Sequence, residues 1–494
     1  MPFTSSTTDV SVLGALRSPR RLKIEILGGL VVALALIPEA ISFSIIAGVD
    51  PRVGLFASFT MAVTIAIVGG RPAMISAATG AIALVVAPLS REYGLDYLIA
   101  AVILGGVLQI VLSLLGVAKL MRFVPRSVMV GFVNALAILI FSAQVPYLLG
   151  VPALVYPMVA VGIAVIVLLP RLTTAVPGPL VAIVLLTAAT VVFAWQVPDV
   201  GDQGELPTSL PAFLIPDVPF TTATLTILAP YAVAIALVGL LESLMTATLV
   251  DDITDTRSDK TREGWGQGVA NVVTGFTGGM GGCAMIGQTM INVKVSGART
   301  RISTFLAGTF LLILVVGLGD VVAVIPMAAL VAVMVMVSVA TFDWHSIRPS
   351  TLRRMPRSET AVMLVTVAVT VATHNLAYGV FAGVLTATVL FARRVAHLTE
   401  VTAQDTTDGT RVYTVTGNLF FASSNDLVHR FDYANDPAEV VIDLSASHIW
   451  DASTVAALDA VEAKYARRGT TVRIVGANAA SAHRHARLTG TLGG

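Results

Sequence analysis

The chain has 494 residues, of which 55% are hydrophobic and only 12% are charged. Soluble domains carry roughly 25% charged residues, so this composition excludes an ordinary water-soluble fold and indicates a membrane protein. Lysine and arginine together number 31 against 30 aspartates and glutamates, and this balance gives no reason to expect a nucleic-acid partner.

Residues 1–23 are predicted to be a short cytoplasmic segment. Basic residues precede the first apolar run and no small-residue cleavage pattern follows it, so the run is a retained span rather than a signal peptide. Apolar runs recur over residues 24–392, and since a span needs about 20 apolar residues, they predict roughly 14 membrane segments, some too short to cross fully. Their centres lie near Leu34, Met61, Ala83, Gly106, Leu139, Ile163, Leu185, Ala236, Val272, Met290, Leu312, Val333, Val367 and Leu385.

Lysines and arginines fall in alternate connections between these segments, which predicts that those connections face the cytoplasm. The longest of the intervening connections, residues 196–222, is acidic and rich in proline, contains no Lys or Arg, and is therefore placed outside. The basic connections carry Lys119, Arg122, Arg126, Arg171, Arg257, Lys260, Arg262, Lys294, Arg299, Arg301, Arg348, Arg353, Arg354, Arg357, Arg393 and Arg394.

The acidic connection, taken as residues 198–222, divides the membrane region into halves at residues 24–197 and 223–394. Each half opens with a long span that holds a carboxylate, Glu39 in the first and Glu242 in the second. About seven spans fit in each half, and because seven is odd, the second half must enter the membrane from the opposite side. The sequence therefore predicts an inverted repeat.

Two short segments rich in Gly and Ala, residues 76–88 and 278–293, occupy corresponding places in the two halves. Hydrocarbon tolerates irregular backbone only inside protein or beside a water-filled cavity, so each segment is predicted to be extended chain that leads into a half-helix. Half-helices starting near Thr79 and Gly287 and meeting at mid-depth would aim free N–H groups and positive dipole ends at one anion. The alternative is that these glycines only allow close helix packing.

The side chains of Thr79, Gln288 and Thr289 are candidate donors to such an anion. Glu39 lies deep in the first span, where a permanent charge is costly, so it is a candidate proton carrier. Its alternative is a kink at Pro38 and Glu39 without a transport role.

Glu242 is a second candidate for proton coupling, although capping of donors in the unwound segment explains it equally well. Phe43 lies one helical turn beyond Glu39 and would face the same cavity, with simple packing as the alternative. The sequence shows no histidine cluster and no nucleophile–base arrangement in the spans, so we predict no metal, no cofactor and no catalytic residue.

Residues 395–494 have the pattern of a small α/β domain. The domain follows a basic pair and is therefore predicted to be cytoplasmic. Its predicted strands are residues 411–416, 439–444 and 471–475, and its predicted helices are residues 425–431, 453–467 and 479–488.

The motifs of the membrane region resemble those of the sulfate permease family, SulP. The segment LGGLVVALALIPEAISFSIIAGVDPRVGLFASF looks like the family's first-span signature, and SAATGAIAL looks like its third-span motif. ALVGLLESL is similar to the eighth-span motif and GGMGGCAMIGQTMINVKVSGARTRIS to the tenth-span motif. The likeness covers essentially the whole membrane region.

This resemblance implies an α-helical polytopic membrane protein with fourteen transmembrane segments in two inverted repeats. It also implies core and gate domains, elevator-like alternating access, a homodimer, and an anion site between the third and tenth segments. The family's site positions match Glu39, Phe43, Thr79, Gly80, Ala81, Gly287, Gln288 and Thr289.

The tail segment VVIDLSASHIWDASTVAALDA is similar to the STAS domain that these transporters share with bacterial anti-sigma factor antagonists. Asp451 and Ser453 fall on that domain's DSSG-like turn. This chain has DAST there, and Ser453 is kept as a candidate regulatory residue.

Animal relatives often have an arginine near Gly287 or Gln288, and its absence here argues against simple chloride exchange. We expect a transporter in the cell inner (plasma) membrane that takes up a divalent anion, such as fumarate or sulfate, together with protons that neutralise Glu39. Bicarbonate is less favoured, because sodium coupling would need more oxygen ligands than the sequence offers. Two alternatives stay open: a nucleobase/proton symporter of the same fold, and a membrane sensor that signals through the STAS domain.

Overall fold

The computed structural model describes residues 11–117, 119, 124–172, 178–396 and 399–490. They form two compact units, a membrane unit and a tail unit, and the boundary between Val384 and Leu385 falls inside the last long helix before the tail strands. The first ten residues of the predicted cytoplasmic segment, and Arg122 of the predicted basic connections, lie outside the described residues.

The first half of the membrane unit is a series of helices interrupted by one short strand. The elements are α1 (Val12–Leu16), α2 (Pro19–Ala47), α3 (Pro51–Val68), β1 (Ser76–Ala77), α4 (Gly80–Tyr93), α5 (Leu95–Leu114), α6 (Arg126–Gln144), α7 (Val155–Leu172) and α8 (Gly178–Val192).

The second half repeats this order and adds two short helices. The elements are α9 (Thr222–Thr254), α10 (Lys260–Phe276), β2 (Cys283–Ala284), α11 (Ile286–Met290), α12 (Arg301–Gly317), α13 (Gly319–Ala323), α14 (Met327–Thr341), α15 (Pro349–Arg354), α16 (Arg357–Thr373) and α17 (Leu376–Ala396). Seven of the described helices are long and apolar enough to cross a membrane. All the predicted segment centres lie inside the elements of the two halves.

The long helix that opens each half contains a proline, Pro38 in α2 and Pro230 in α9. A proline cannot donate the backbone hydrogen bond of an uninterrupted helix, which leaves a carbonyl one turn earlier without its partner. In α2, the Ser42 hydroxyl donates to the Pro38 carbonyl at 2.8 Å, so a side chain takes part in the hydrogen bonding around this point. Glu39 follows directly, so this carboxyl lies at the proline position of α2.

Helix packing sorts the membrane unit into two groups, as the resemblance implied. In the first group, α10 packs on α3 and α5, α12 packs on α2 and α3, and α9 packs on α5. In the second group, α6 packs on α14 and α16, and α7 packs on α8 and α14. We call the first group the core bundle and the second the gate bundle.

The core bundle is held closely where α5 crosses α10. A Cβ atom on Gly106 would lie 2.7 Å from the Gly268 carbonyl oxygen, and one on Gly268 would lie 2.5 Å from the Gly106 carbonyl oxygen. Only glycine fits on both sides of this contact, because any larger residue would push the two backbones apart.

The tail unit is a four-stranded sheet with helices. Its strand order is β3-β4-β5-β6, with β3 antiparallel to β4 and the other neighbours parallel. The elements are β3 (Glu400–Asp405), β4 (Arg411–Leu419), α18 (Phe421–Leu427), β5 (Glu439–Ile449), α19 (Ala452–Ala466), β6 (Thr471–Val475) and α20 (Ala479–Leu488).

The three predicted tail strands are present, and two predictions about this unit were wrong. Strand β3 was not predicted at all, although the turn that joins it to β4 contains Asp408 and Gly409 and Gly409 has a left-handed φ of 80°. The helix predicted at residues 425–431 begins earlier, at Phe421. There, the hydroxyls of Ser423 and Ser424 bond backbone carbonyls of the turn that starts the helix.

A buried carboxylate, Asp436, organises the tail unit. It accepts hydrogen bonds from the hydroxyls of Tyr413 and Tyr465, and from Arg411 at 2.8 Å. The Asp436 side chain is fully buried, whereas Asp405, the other carboxylate on Arg411, is 64% exposed.

Replacing Asp436 with alanine should therefore destabilise the tail unit. Two buried tyrosine hydroxyls would lose their acceptor, at a cost of about 1–3 kcal/mol for each. Hydrogen–deuterium exchange of β4 and β5 in the full-length protein should show a correspondingly lower free energy of opening. The matched control is Asp405→Ala, which removes the exposed carboxylate from the same arginine and should change exchange little. Equal effects from the two variants would contradict this assignment.

Candidate functional site

The two short segments meet in the core bundle as an antiparallel pair of strands. Ser76 lies opposite Ala284 and Ala77 lies opposite Cys283. All four residues are fully buried. Backbone N–H and C=O groups inside a membrane protein need partners, and here the extended residues of the two halves supply partners to each other.

Helix α4 starts directly after β1, as predicted, and Thr79 is its N-cap residue. The Thr79 hydroxyl accepts a long hydrogen bond from the Ile82 N–H, at 3.4 Å. The first four N–H groups of a helix have no partner within the helix, so those of Gly80 and Ala81 are left to a ligand or to water. The predicted residues Thr79, Gly80 and Ala81 thus form one tip.

The opposing tip is formed by α11, which begins at Ile286 and continues through a π-helical turn at Ile291–Val295. Gly287 is exposed, and a Cβ atom at this position would meet nothing within 4 Å. Gln288 and Thr289 are buried beside it. The Thr289 hydroxyl accepts from the Ile75 N–H at 3.0 Å, so this predicted donor is engaged with the first half of the chain.

The first-span residues reach both tips. The Gln288 side chain lies close enough to the Glu39 carboxyl to interact with it. The ring of Phe43 packs on the start of α4, since a Cβ atom on Gly80 would lie 2.9 Å from its Cε1 atom. Glu39 is therefore beside the second tip and Phe43 is beside the first.

Glu242 of α9 contacts the second strand of the pair. The Cys283 thiol donates to a Glu242 carboxyl oxygen at 2.9 Å, and its Sγ atom is 3.1 Å from the Thr79 hydroxyl oxygen. Ser243, the next residue, accepts from the Ala284 N–H at 3.1 Å. Both carboxylates predicted for proton coupling therefore lie near the tips. Glu39 neighbours Gln288 of the second tip, and Glu242 is linked through Cys283 to Thr79 of the first tip.

Helix α10 carries a row of buried polar residues that the sequence analysis missed. The Glu263 carboxylate accepts from the Gly70 and Arg71 N–H groups at 2.7 and 2.8 Å. The Gln267 amide donates to the Ser76 hydroxyl at 2.6 Å. The signal was in the sequence, because Glu263, Gln267 and Asn271 recur every four residues on one face of the helix.

Asn271 holds the backbone of the second segment. Its side chain accepts from the Gly282 N–H at 2.8 Å and donates to the Gly282 carbonyl oxygen at 3.0 Å. The same amide donates to the side-chain oxygen Oε1 of Gln109 at 2.8 Å. Both peptide groups of Gly282 are therefore satisfied by one side chain.

A cavity of about 840 Å³ lies between α6 and α9 and reaches Ile286, the first residue of α11. The neighbouring residue Gly287 is exposed. The lining of the cavity includes three basic and two acidic residues, an excess that favours the entry of anions. These are Lys119, Arg126, Lys260, Asp252 and Asp343.

The candidate regulatory residue Ser453 lies in the tail unit, exposed in the first turn of α19. Asp451 is the N-cap of this helix and accepts from the Thr454 N–H at 3.1 Å and from its hydroxyl at 3.0 Å. Within the described residues, no group of His, Cys, Asp and Glu side chains is arranged to hold a metal ion.

Comparison with known families gives two matches. The sequence pattern of the Sulfate permease family matches residues 22–161 and 158–366, and that of the STAS domain matches residues 402–492. The chain is 55% identical over 458 residues to the "Putative sulfate transporter YbaR" of Bacillus subtilis, covering 92% of this chain and 95% of that protein.

Two solved structures have the same fold. The transmembrane domain of the bicarbonate transporter BicA of a cyanobacterium is 24% identical, with a TM-score of 0.65 over 74% of this chain and 97% of that one. The murine anion transporter Slc26a9, in the inward-facing state, is 17% identical, with a TM-score of 0.80 over 99% of this chain and 92% of that one.

Replacing Asn271 with leucine tests the row of polar residues on α10. The change would leave the N–H and C=O groups of Gly282 buried without partners, at about 2–6 kcal/mol in total. Thermal unfolding of the detergent-solubilised protein should shift to a markedly lower temperature. Thr277→Val is the control, since the Thr277 hydroxyl bonds carbonyls of its own helix at the end of α10. An unfolding temperature equal to that of the control would show that Asn271 does not hold the segment.

Proposed function

Because the chain belongs to the sulfate permease family, we propose that it is a secondary active transporter of small anions that moves a divalent anion together with a proton. Sulfate and dicarboxylates such as fumarate are the candidate substrates. The observation that supports this proposal best is the meeting of two helix tips at the strand pair Ser76–Ala77 and Cys283–Ala284, with a buried carboxyl beside each tip. The matched relatives are transporters, not enzymes.

The anion would be bound by backbone N–H groups rather than by a fixed cation. Residues 76–88 and 278–293 contain no Lys or Arg. The N–H groups of Gly80, Ala81 and Gly287 point out of helix starts, where the helix dipole is positive. Such sites hold anions in many proteins without a cationic side chain. The Gln288 side chain would supply a further donor.

Protonation of Glu39 would couple the proton to the anion. An ionised Glu39 beside Gln288 would repel an anion at the α11 tip, whereas a neutral Glu39 would not. Two like charges at this range cost on the order of a few kcal/mol in a partly hydrated protein site. By reciprocity, an anion that binds better to the protonated protein also makes protonation easier, so the two move together.

Alternating access would arise from movement of the core bundle against the gate bundle. Both helix tips pack on the core bundle, α4 on α2, α5 and α9, and α11 on α2 and α9. The 840 Å³ cavity lies between α9 of that bundle and α6 of the gate bundle. We place this side in the cytoplasm because of its lysines and arginines. With this orientation, the cavity corresponds to the inward-facing state of a transporter that works by elevator-like alternating access.

We propose the cell inner (plasma) membrane as the location, and the same charge pattern supports an orientation with the N-terminus and STAS domain in the cytoplasm. We propose that the protein assembles as a homodimer, which the resemblance to the family implies together with the elevator mechanism.

A nucleobase/proton symporter is the second candidate function, because a site without a fixed cation also accepts neutral amide-like rings. Competition of labelled sulfate uptake by fumarate and by uracil separates these two functions.

Uptake into proteoliposomes tests proton coupling directly. With an inward proton gradient, the wild-type protein should accumulate labelled sulfate or fumarate above its outside concentration. Glu39→Gln should still exchange the anion across the membrane but should not accumulate it, because the amide cannot carry a proton. Glu92→Gln, an exposed carboxylate at the end of α4, is the control and should behave as the wild type. Accumulation by Glu39→Gln equal to that of the control would remove Glu39 from this role.

A further inference from the structure

Three side chains form a continuous hydrogen-bonded chain behind the first helix tip. It runs from the Glu242 carboxyl through the Cys283 thiol to the Thr79 hydroxyl, with contacts of 2.9 and 3.1 Å. Cys283 is the only cysteine in the sequence. Its exposed fraction is 0%, against 2% for Thr79 and 7% for Glu242, so water has no access to the sulfur between them.

The donors and acceptors in this chain are limited in number. A thiol donates one hydrogen, a threonine hydroxyl donates one and accepts two, and a carboxyl donates only when it is protonated. The Thr79 oxygen already accepts from the Ile82 N–H as the N-cap of α4. An ionised Glu242 therefore fixes the direction of both remaining hydrogen bonds, and protonation of its oxygen nearest the sulfur allows both to reverse.

When Glu242 is ionised, it can only accept, so the Cys283 thiol donates to it and the Thr79 hydroxyl donates to the sulfur. When Glu242 is protonated on the oxygen nearest the sulfur, it donates to Cys283, and the thiol donates to Thr79 in turn. The Thr79 hydroxyl hydrogen is then free to turn toward the α4 tip. Once Glu242 has taken up its proton, the hydroxyl and thiol hydrogens only rotate. The hydrogen bonds change direction, but no covalent O–H or S–H bond of Thr79 or Cys283 breaks.

We propose that Cys283 is a positioning residue that transmits the protonation state of Glu242 to the anion site, by deciding whether the Thr79 hydroxyl donates to sulfur or to the bound anion. This inference rests on the proposed function and adds to it. Glu39 acts on the anion by charge, whereas Glu242 acts through a reversal of hydrogen bonds at the other tip.

Among the residues that the structure describes, Cys283 is the side chain that bonds the Glu242 carboxyl, and the neighbouring elements direct their charged groups elsewhere. The ionisable side chain that acts on it is Cys283 of β2. Of the other elements packed on α9, α5 brings Gln109, an amide that bonds the Ile235 carbonyl and Asn271. Helix α10 directs its carboxylate, Glu263, to Gly70 and Arg71 instead. Helices α4 and α11 have no ionisable residue in their first turns.

Infrared spectroscopy tests the reversal without a transport assay. Because there is a single cysteine, the S–H stretching band of the full-length protein in detergent belongs to Cys283. A thiol that donates to a carboxylate has a lower S–H frequency than one that donates to a neutral hydroxyl, since charge-assisted hydrogen bonds are stronger. The band should therefore move to higher frequency as the pH falls, and Glu242→Gln should fix it at the acidic position. A band that is the same at acidic and alkaline pH would overturn the inference.

Sulfate affinity tests the consequence at the anion site. The Glu39→Gln background removes the other carboxyl, and sulfate is the probe because its own charge is constant around neutrality. In this background, the affinity for sulfate should be roughly tenfold higher at a pH below neutrality than at a pH above it. This ratio corresponds to the contribution of about one hydrogen bond to a charged group. Adding Cys283→Ser should keep this difference, because serine has the same donor and acceptor. Adding Cys283→Ala should reduce it to less than about twofold.

The control in the same background is Ser338→Ala, a buried hydroxyl that bonds the Met334 carbonyl of its own helix and should leave the pH difference unchanged. A pH difference that survives in Cys283→Ala would overturn the inference even if anion transport is established. If no anion is transported at any pH while the S–H band still shifts, the proposed function fails and the hydrogen-bond reversal stands.

Discussion

The need to satisfy backbone N–H and C=O groups at mid-membrane governs this structure. Two segments leave the helical conformation there, and each unpaired peptide group in hydrocarbon would cost several kcal/mol. Part of the solution is the antiparallel pairing of Ser76–Ala77 with Cys283–Ala284. The rest comes from α10, where Glu263 holds the turn before β1 and Asn271 holds Gly282 before β2. The buried polar residues of α10 are therefore required by the shape of the backbone.

Within the described residues, this scheme assigns no partner to the N–H groups of Gly80, Ala81 and Gly287 at the two helix starts. A binding site of this kind recognises negative charge without holding a positive one, so its net electrostatic character is set by the carboxyls beside it. Glu39 and Glu242 contact different tips through Gln288 and Cys283, respectively. Under the proposals above, protonation of Glu39 changes the electrostatic potential at the anion, and protonation of Glu242 changes the hydrogen bonds offered to the same anion.

The sequence predicted the features that depend on local composition. Long apolar runs located every membrane segment, and the Gly-rich stretches located both broken helices, because few other structures tolerate such stretches inside a membrane. It did not predict contacts between residues far apart in the chain. Cys283 meets Glu242 and Thr79 across 41 and 204 positions, and no local pattern encodes that meeting. Strand β3 was missed because its residues are mostly exposed and polar, so they lack the apolar alternation that marks a strand.

The antiparallel strand pair has a consequence for the origin of the chain. A two-fold axis relates two antiparallel strands, so two identical half-length proteins inserted in opposite orientations would build the same junction by self-association. In such a symmetric pair, equivalent side chains of the two halves would have identical neighbours. The single chain does not keep this equality, because Glu39 has its neighbour Gln288 from the opposite half and Glu242 has its neighbour Cys283 from its own half.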